Sequence, residues 1–160
     1  YKRQVYITVP AGPVVHAPKD QQIRTDYSQL SWELVHEGSQ VALIAVGDFF
    51  GIGQKTVEKL AAAGIDATLV KLLFASGLDT ATLNALAQTH DVILTIEDGI
   101  VDGGFGQRVA GYLGTNSSTK VLVRGFERAF YDRFKASDLL EEARITPDKL
   151  TEDVLAVLNN

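Results

Sequence analysis

The sequence predicts an α/β protein, a three-layer α/β/α sandwich on a mainly parallel sheet, and three observations predict it. Four short β-rich apolar runs, at residues 41–46, 67–72, 92–96 and 121–123, recur at similar intervals. Near-continuous apolarity over so few residues marks strands buried on both faces of a parallel sheet. Helical patterns fill the gaps, and strand-helix-strand units need right-handed crossovers that place helices on both faces.

Each element can be placed in chain order. Residues 4–9 alternate like a strand, but Pro10, Gly12, Pro13 and Pro18 break the pattern beyond it, and residues 19–39 are polar. Residues 1–39 are therefore expected to be the last strand of a preceding domain with its linker, and residues 40–160 the α/β unit. Tyr1 falls in mid-strand and the chain has no methionine, which predicts a fragment of a larger protein. Trp32 and Leu34 alternate with Ser31 and Glu33, so a short edge strand is expected there. Val57, Leu60 and Ala61 form an i, i+3, i+4 stripe closed by Gly64. Leu83, Leu86 and Ala87 do the same after a cap at Asp79 or Thr80, as do Val109, Ala110 and Leu113 before Gly114. Farther on, Ser137 is expected to cap a segment running to Arg144. Thr146 and Pro147 form a cap followed by proline at the first helical position, and the last helix is expected to bury Leu150, Val154, Leu155 and Leu158.

Composition excludes several functions. At 160 residues, 46% hydrophobic and 22% charged, one domain can bury a full core. A net charge of −5 with scattered Lys and Arg argues against nucleic acid as a partner. The longest aliphatic run falls far short of the roughly 20 residues of a membrane helix, so no membrane partner is expected. The chain lacks cysteine, which removes disulfide and thiolate chemistry and fits a cytoplasmic location.

Two glycine-rich turns could carry chemistry. After the first sheet strand, residues 47–56 bring Gly47, Gly51 and Gly53 to a helix start, where backbone N–H groups attract anions. A P-loop would need lysine directly after the glycine, but Gln54 intervenes, and a dinucleotide fingerprint would need glycine at Thr56. Phe49 and Phe50 would crowd the cradle, so a plain strand-to-helix turn is the better reading. The second turn carries Glu97, Asp98 and Asp102 beside Gly103, Gly104, Phe105 and Gly106, at the strand end where open α/β sheets hold ligands. Without a histidine nearby, the carboxylates read as a solvated turn with a helix cap rather than a metal cluster. His16, His36 and His90 lie on different elements, without zinc-ligand spacing, and read as surface or loop residues. Ser117 and Ser118 lack a nucleophile elbow. The aromatic-basic stretch 124–135 includes Glu127 and Asp132 and reads as a half-buried connector rather than a stacking surface.

The ordered series formed by residues 41–47, residues 61–70, Leu78-Asp79 and Thr95-Ile96-Glu97-Asp98-Gly99, followed by Gly103-Gly104-Phe105-Gly106, resembles the C-terminal domain of transketolase-type thiamine-diphosphate enzymes. The Gly-Gly-Phe-Gly form is most similar to the 1-deoxy-D-xylulose-5-phosphate synthase branch. The resemblance implies a homodimeric parent that condenses pyruvate with glyceraldehyde 3-phosphate, using thiamine diphosphate and magnesium, at the head of one isoprenoid route. It also implies that the cofactor lies between two upstream domains of the same polypeptide, while this domain supports the dimer. This chain alone is then expected to hold no cofactor, metal or catalytic residue, and Glu97, Asp98, Gly103, Gly104, Phe105 and Gly106 are candidate inter-domain or dimer contacts. Thr8-Val9-Pro10-Ala11-Gly12 stands where the family typically carries Arg-Tyr-Pro-Arg-Gly, so a guanidinium fork for a sugar phosphate is missing. Ser76-Gly77 likewise replaces a usual Lys-Pro. The alternatives are a diverged paralogue without synthase activity and an autonomous Rossmann-like nucleotide-binding module using residues 47–56.

Overall fold

A computed structural model describes residues 28, 31–132 and 135–159. The strand expected at residues 4–9, the linker up to residue 27, the Thr8-to-Gly12 stretch and His16 fall outside them. The elements run β1 (Glu33–His36), β2 (Gln40–Ala45), α1 (Phe50–Ala62), β3 (Thr68–Lys71), α2 (Thr80–Thr89), β4 (His90–Ile100), α3 (Phe105–Gly114), β5 (Lys120–Phe126), α4 (Ala136–Glu142) and α5 (Pro147–Leu158). The five strands lie in the order β1-β3-β2-β4-β5, all parallel except β1, which runs against β3.

The side-chain alternation of a strand sorts the core into two layers. Val41, Leu43 and Ala45 of β2 face Leu60 of α1 and Leu150 and Val154 of α5. Ala42 and Ile44 face the other way, toward Leu83 and Leu86 of α2 and Val109 and Leu113 of α3. Burying each large aliphatic side chain stabilises the fold by about 1.5–3 kcal/mol. The expected sandwich is therefore present, with helices on both faces.

Several elements differ from expectation. The run at 92–96 continues as an extended strand to Ile100, because β5 lets it: Ile96 pairs with Arg124 and Ile100 with Phe126 across a bulge. Only Gly125 fits between them, since a side-chain carbon there would lie 2.9 Å from the carbonyl oxygen of Gly99. In helix α1, Leu60 is buried and Val57 packs on the same core as expected, but Gly53 and Thr56 are buried too and Ala61 is exposed. A Cβ on Gly53 would lie 2.9 Å from Leu43, so α1 packs close to the sheet. Gly64 does end that helix, with φ +87, whereas Gly114 is simply the last residue of α3. Ser137 lies inside α4, which starts after Lys135 without a side-chain cap, and its hydroxyl donates instead to Asp138. Thr146 is the residue before α5 with Pro147 at its start, but its hydroxyl donates to Glu141 rather than capping. Leu150 and Val154 are buried as expected; Leu155 and Leu158 are only half-buried at the edge of α5.

His90 is not a surface residue: it is 7% exposed at the start of β4. Leu86 O can only accept, so Nδ1, 3.0 Å away, carries a proton, and Nε2 hydrogen-bonds Thr68 Oγ1 at 2.7 Å. Thr68 Oγ1 in turn accepts from Gly38 N–H at 2.9 Å. This chain of bonds ties the β1–β2 turn, β3, α2 and β4 together at the N-terminal end of the sheet.

Candidate functional site

In this strand order the chain leaves β2 for β3 on one side and later returns to β4 on the other. Open α/β sheets hold ligands at such a switch, beyond the C-terminal ends of the diverging strands. Here the position lies between the ends of β2 and β4, and on its β4 side a carboxylate of the chain itself occupies the helix N-terminus that faces it. Glu97, 5% exposed, accepts from the N–H groups of Phe105 through Oε2 and Gly106 through Oε1, both at 2.9 Å. Helix α3 has no capping side chain at Gly104, so Glu97 supplies both the acceptors and the negative charge that a helix N-terminus favours.

Three glycines make this closeness feasible. Gly103 has φ +77, a left-handed conformation that other residues rarely adopt. A Cβ on Gly106 would overlap both Thr95 Oγ1 and a methyl of Val123, and one on Gly104 would meet Glu97 itself. Thr95 Oγ1, beside Gly106, is buried without a hydrogen-bond partner. Of the six candidate contact residues, Glu97, Phe105 and Gly106 are buried, Gly104 is half-buried, and Asp98 and Gly103 are exposed. The expected helix cap is there, on a buried side chain rather than in a solvated turn. Among the described residues, no group of three His or acidic side chains could hold a metal ion.

The surroundings hold α3 in place. Phe105 packs edge-on against Trp32, with ring centroids 5.6 Å apart. Arg108 donates to the carbonyl oxygens of Ala75 and Ser76, fixing the loop ahead of α2. Asp79 caps α2 as expected: Oδ1 accepts from Thr82 N–H, and Oδ2 accepts from Trp32 N–H at 3.0 Å and from the Thr82 hydroxyl at 2.8 Å. Burial pushes the Asp79 carboxyl upward, but these hydrogen bonds outweigh it and hold the group below its ordinary value of 3.8.

The first glycine-rich turn is a strand-to-helix connection. Gly47 sits at φ +55 at the start of a short 3-10 turn, Gly47–Phe49. The ring of Phe49 packs on Phe126, 6.2 Å away, and that of Phe50 lies under the Lys71 ammonium. In the connector after β5, Tyr131 packs edge-on against Phe126 at 5.9 Å, while Phe130 is wholly exposed rather than half-buried.

Sequence reasoning missed one charged cluster. Asp153 of α5 accepts from Arg124 Nε at 2.9 Å and from Arg144 Nε at 3.0 Å. Burial raises the Asp153 carboxyl, but the hydrogen bonds and charges of Arg144 and Arg124 prevail and hold it below 3.8. Arg144 has φ +58 because it follows the C-cap of α4: its N–H donates to Glu141 O and that of Ile145 to Leu140 O, a helix closure usually made on glycine, as at Gly64.

Residues 30–150 match the family model described as transketolase, C-terminal domain. The 1-deoxy-D-xylulose-5-phosphate synthase of Leifsonia xyli subsp. xyli is 35% identical over 127 residues, covering 78% of this chain and 19% of that protein. The enzyme of the same name from Bacillus cereus (strain AH187) is 31% identical over 126 residues, covering 78% of this chain and 20% of the relative. The chain thus spans about a fifth of the length of these relatives. Among solved structures, a split-gene transketolase, described as an inactive β4 tetramer, superposes with TM-score 0.76 at 25% identity, over 86% of this chain and 44% of that one. The transketolase of Campylobacter jejuni shares the fold at TM-score 0.56 and 19% identity, over 79% of this chain and 18% of its own. With the layered sheet and the Glu97-capped glycine turn in the expected places, the chain belongs to the transketolase C-terminal domain family and resembles its 1-deoxy-D-xylulose-5-phosphate synthase branch.

Proposed function

We propose that this chain is the bracing C-terminal domain of a thiamine-diphosphate-dependent transferase of the 1-deoxy-D-xylulose-5-phosphate synthase type. In the intact protein, upstream domains of the same polypeptide bind thiamine diphosphate and magnesium and condense pyruvate with glyceraldehyde 3-phosphate. The working unit is a cytoplasmic homodimer. Residues 1–39 carry the last strand of the preceding domain and the linker, whose end forms β1.

One observation carries the reading: the helix N-terminus on the β4 side of the sheet's switch point is used for internal packing. With Glu97 on the N–H groups of Phe105 and Gly106, a diphosphate would meet a carboxylate where it needs donors. This helix terminus does not fit the cofactor's diphosphate, and on this reading the cofactor's chemistry belongs to the upstream domains. Glu97, Gly104, Phe105 and Gly106 then act by fixing α3, which leaves Asp98 and Gly103 to meet other domains or the dimer partner.

Calorimetry tests this. Magnesium-dependent binding of thiamine diphosphate is expected for the full-length polypeptide and not for the 160-residue chain; tight binding by the chain alone would overturn the proposal. Thr8 and Ala11, in place of the family's arginines, favour a second reading in which the parent uses a different acceptor. Condensation of pyruvate with glyceraldehyde 3-phosphate by the full-length protein excludes that reading.

A further inference from the structure

Among the described residues, large apolar side chains remain exposed at two places: Leu34 and Val35 on β1, and Ile100, Phe130 and Tyr131 at the C-terminal ends of the parallel strands. The β1 edge has a bulge between Leu34 and His36 and charged residues at Glu33 and Glu37, devices that discourage further strand pairing. The second patch is differently built. Ile100 is the register partner of Phe126 on the last rung of β4 and β5, and Tyr131 packs on Phe126. Beside them Phe130 projects its whole ring, next to an open groove of about 890 Å³. The groove carries both charges, Asp102, Glu127 and Glu142 beside Arg124, Arg128 and Arg144.

Chain direction supplies the second argument. Because β1 is antiparallel, its first residue, Glu33, lies opposite Lys71, the last residue of β3. Trp32 is fixed there by its bond to Asp79 and its packing on Phe105. Ser31 and Trp32, where the continuous described chain begins, therefore lie at the same end of the sheet as the apolar patch. Four inter-strand steps of about 4.8 Å separate β1 from β5, roughly 19 Å, which lies within the footprint of one domain.

We infer that the end of the sheet centred on Ile100, Phe130 and Tyr131 is the docking surface for the domain preceding residue 31 in the intact polypeptide. The partner surface is apolar at its centre, where it covers Phe130, and carries charges of both signs at its rim, opposite the arginines and carboxylates of the groove. The inference rests on the proposed function, which supplies that preceding domain.

Amide hydrogen exchange on the full-length polypeptide and on the 160-residue chain provides the test. Amides at residues 98–103 and 127–131 are expected to exchange at least about tenfold more slowly in the full-length protein. Phe130→Asp in the full-length protein should restore fast exchange there while leaving the melting of the 160-residue chain unchanged. Equal rates in the two proteins overturn the inference. So does protection that grows with concentration in the 160-residue chain until it matches the full-length protein, because a second copy then covers the patch. Titrating the same full-length sample with thiamine diphosphate and magnesium separates the two claims. Protection without cofactor binding supports the docking surface and sinks the proposed function; cofactor binding with an unprotected patch overturns the docking surface alone.

Discussion

A side-chain carbon on Gly104 would lie 2.7 Å from both carboxylate oxygens of Glu97, and 2.5 Å from the carbonyl oxygen of Ile100. The second of these is backbone and cannot step aside. Gly104→Ala is therefore expected to destabilise the domain by about 1–3 kcal/mol in urea denaturation. Gly111, exposed in the middle of α3, has nothing within 4 Å of its would-be Cβ. Gly111→Ala should instead stabilise by about 0.5–1 kcal/mol, so the two alanines should move the urea midpoint in opposite directions.

Glu97→Gln tests the cap directly. An amide has a single acceptor oxygen, so one of the two N–H groups at Phe105 and Gly106 would face an NH₂. The expected loss is about 1–3 kcal/mol, with faster hydrogen exchange at those two amides. An unchanged midpoint and unchanged exchange would show that the carboxylate contributes nothing there.

Acid should weaken the domain through Asp79 and Asp153. Both carboxyls are held below their ordinary 3.8 in the folded protein, so the stability they confer is complete above that value. It is lost as pH falls through the lowered folded values, because the unfolded chain takes up protons first. Stability measured by urea should therefore drop below about pH 4 from these two groups. Asp153→Asn should reduce stability at pH 7 and make the acid decline shallower; an equally steep decline in the variant would contradict the assignment.

Arg144 offers a comparison of two deletions. Its guanidinium bonds Asp153 and Glu152, but its backbone is left-handed at φ +58. Arg144→Ala loses the bonds and keeps the awkward backbone, whereas Arg144→Gly loses the bonds and relieves it. The glycine variant should be the more stable by about 1 kcal/mol, reversing the usual order of the two residues in thermal melts.

The layered sheet was legible because its strands are short, apolar on both faces and spaced by stripes that only a helix satisfies. Asp79 was legible as a cap because its partner, Thr82, lies three residues on. What escaped depends on distant partners. The residues Glu97-Asp98-Gly99 read as a turn, yet they stay extended because Gly125 of the next strand admits them and α3 satisfies the Glu97 carboxylate. His90 sits between Thr89 and Asp91, polar neighbours that hide its burial, and its key partner, Thr68, is 22 residues away. The buried face of α1 keeps Leu60 and Val57 of the expected stripe but takes in Gly53 and Thr56 in place of Ala61, because Gly53 lets the helix approach Leu43, a contact between elements that no periodicity within α1 encodes. Arg124 and Asp153 are 29 residues apart, and only the packing of α5 on the sheet brings them together.

The left-handed arginine also makes a statement about how this domain can change over generations. The closing turn of α4 imposes that backbone on whichever residue stands there, and the bond to the aspartate at 153 is what an arginine adds against its local cost. Substitutions at the two sites should therefore travel together. Lineages that lose the acid should turn to glycine at 144 more often than to any other residue, and independent drift at the pair would mean that the bond has never constrained them.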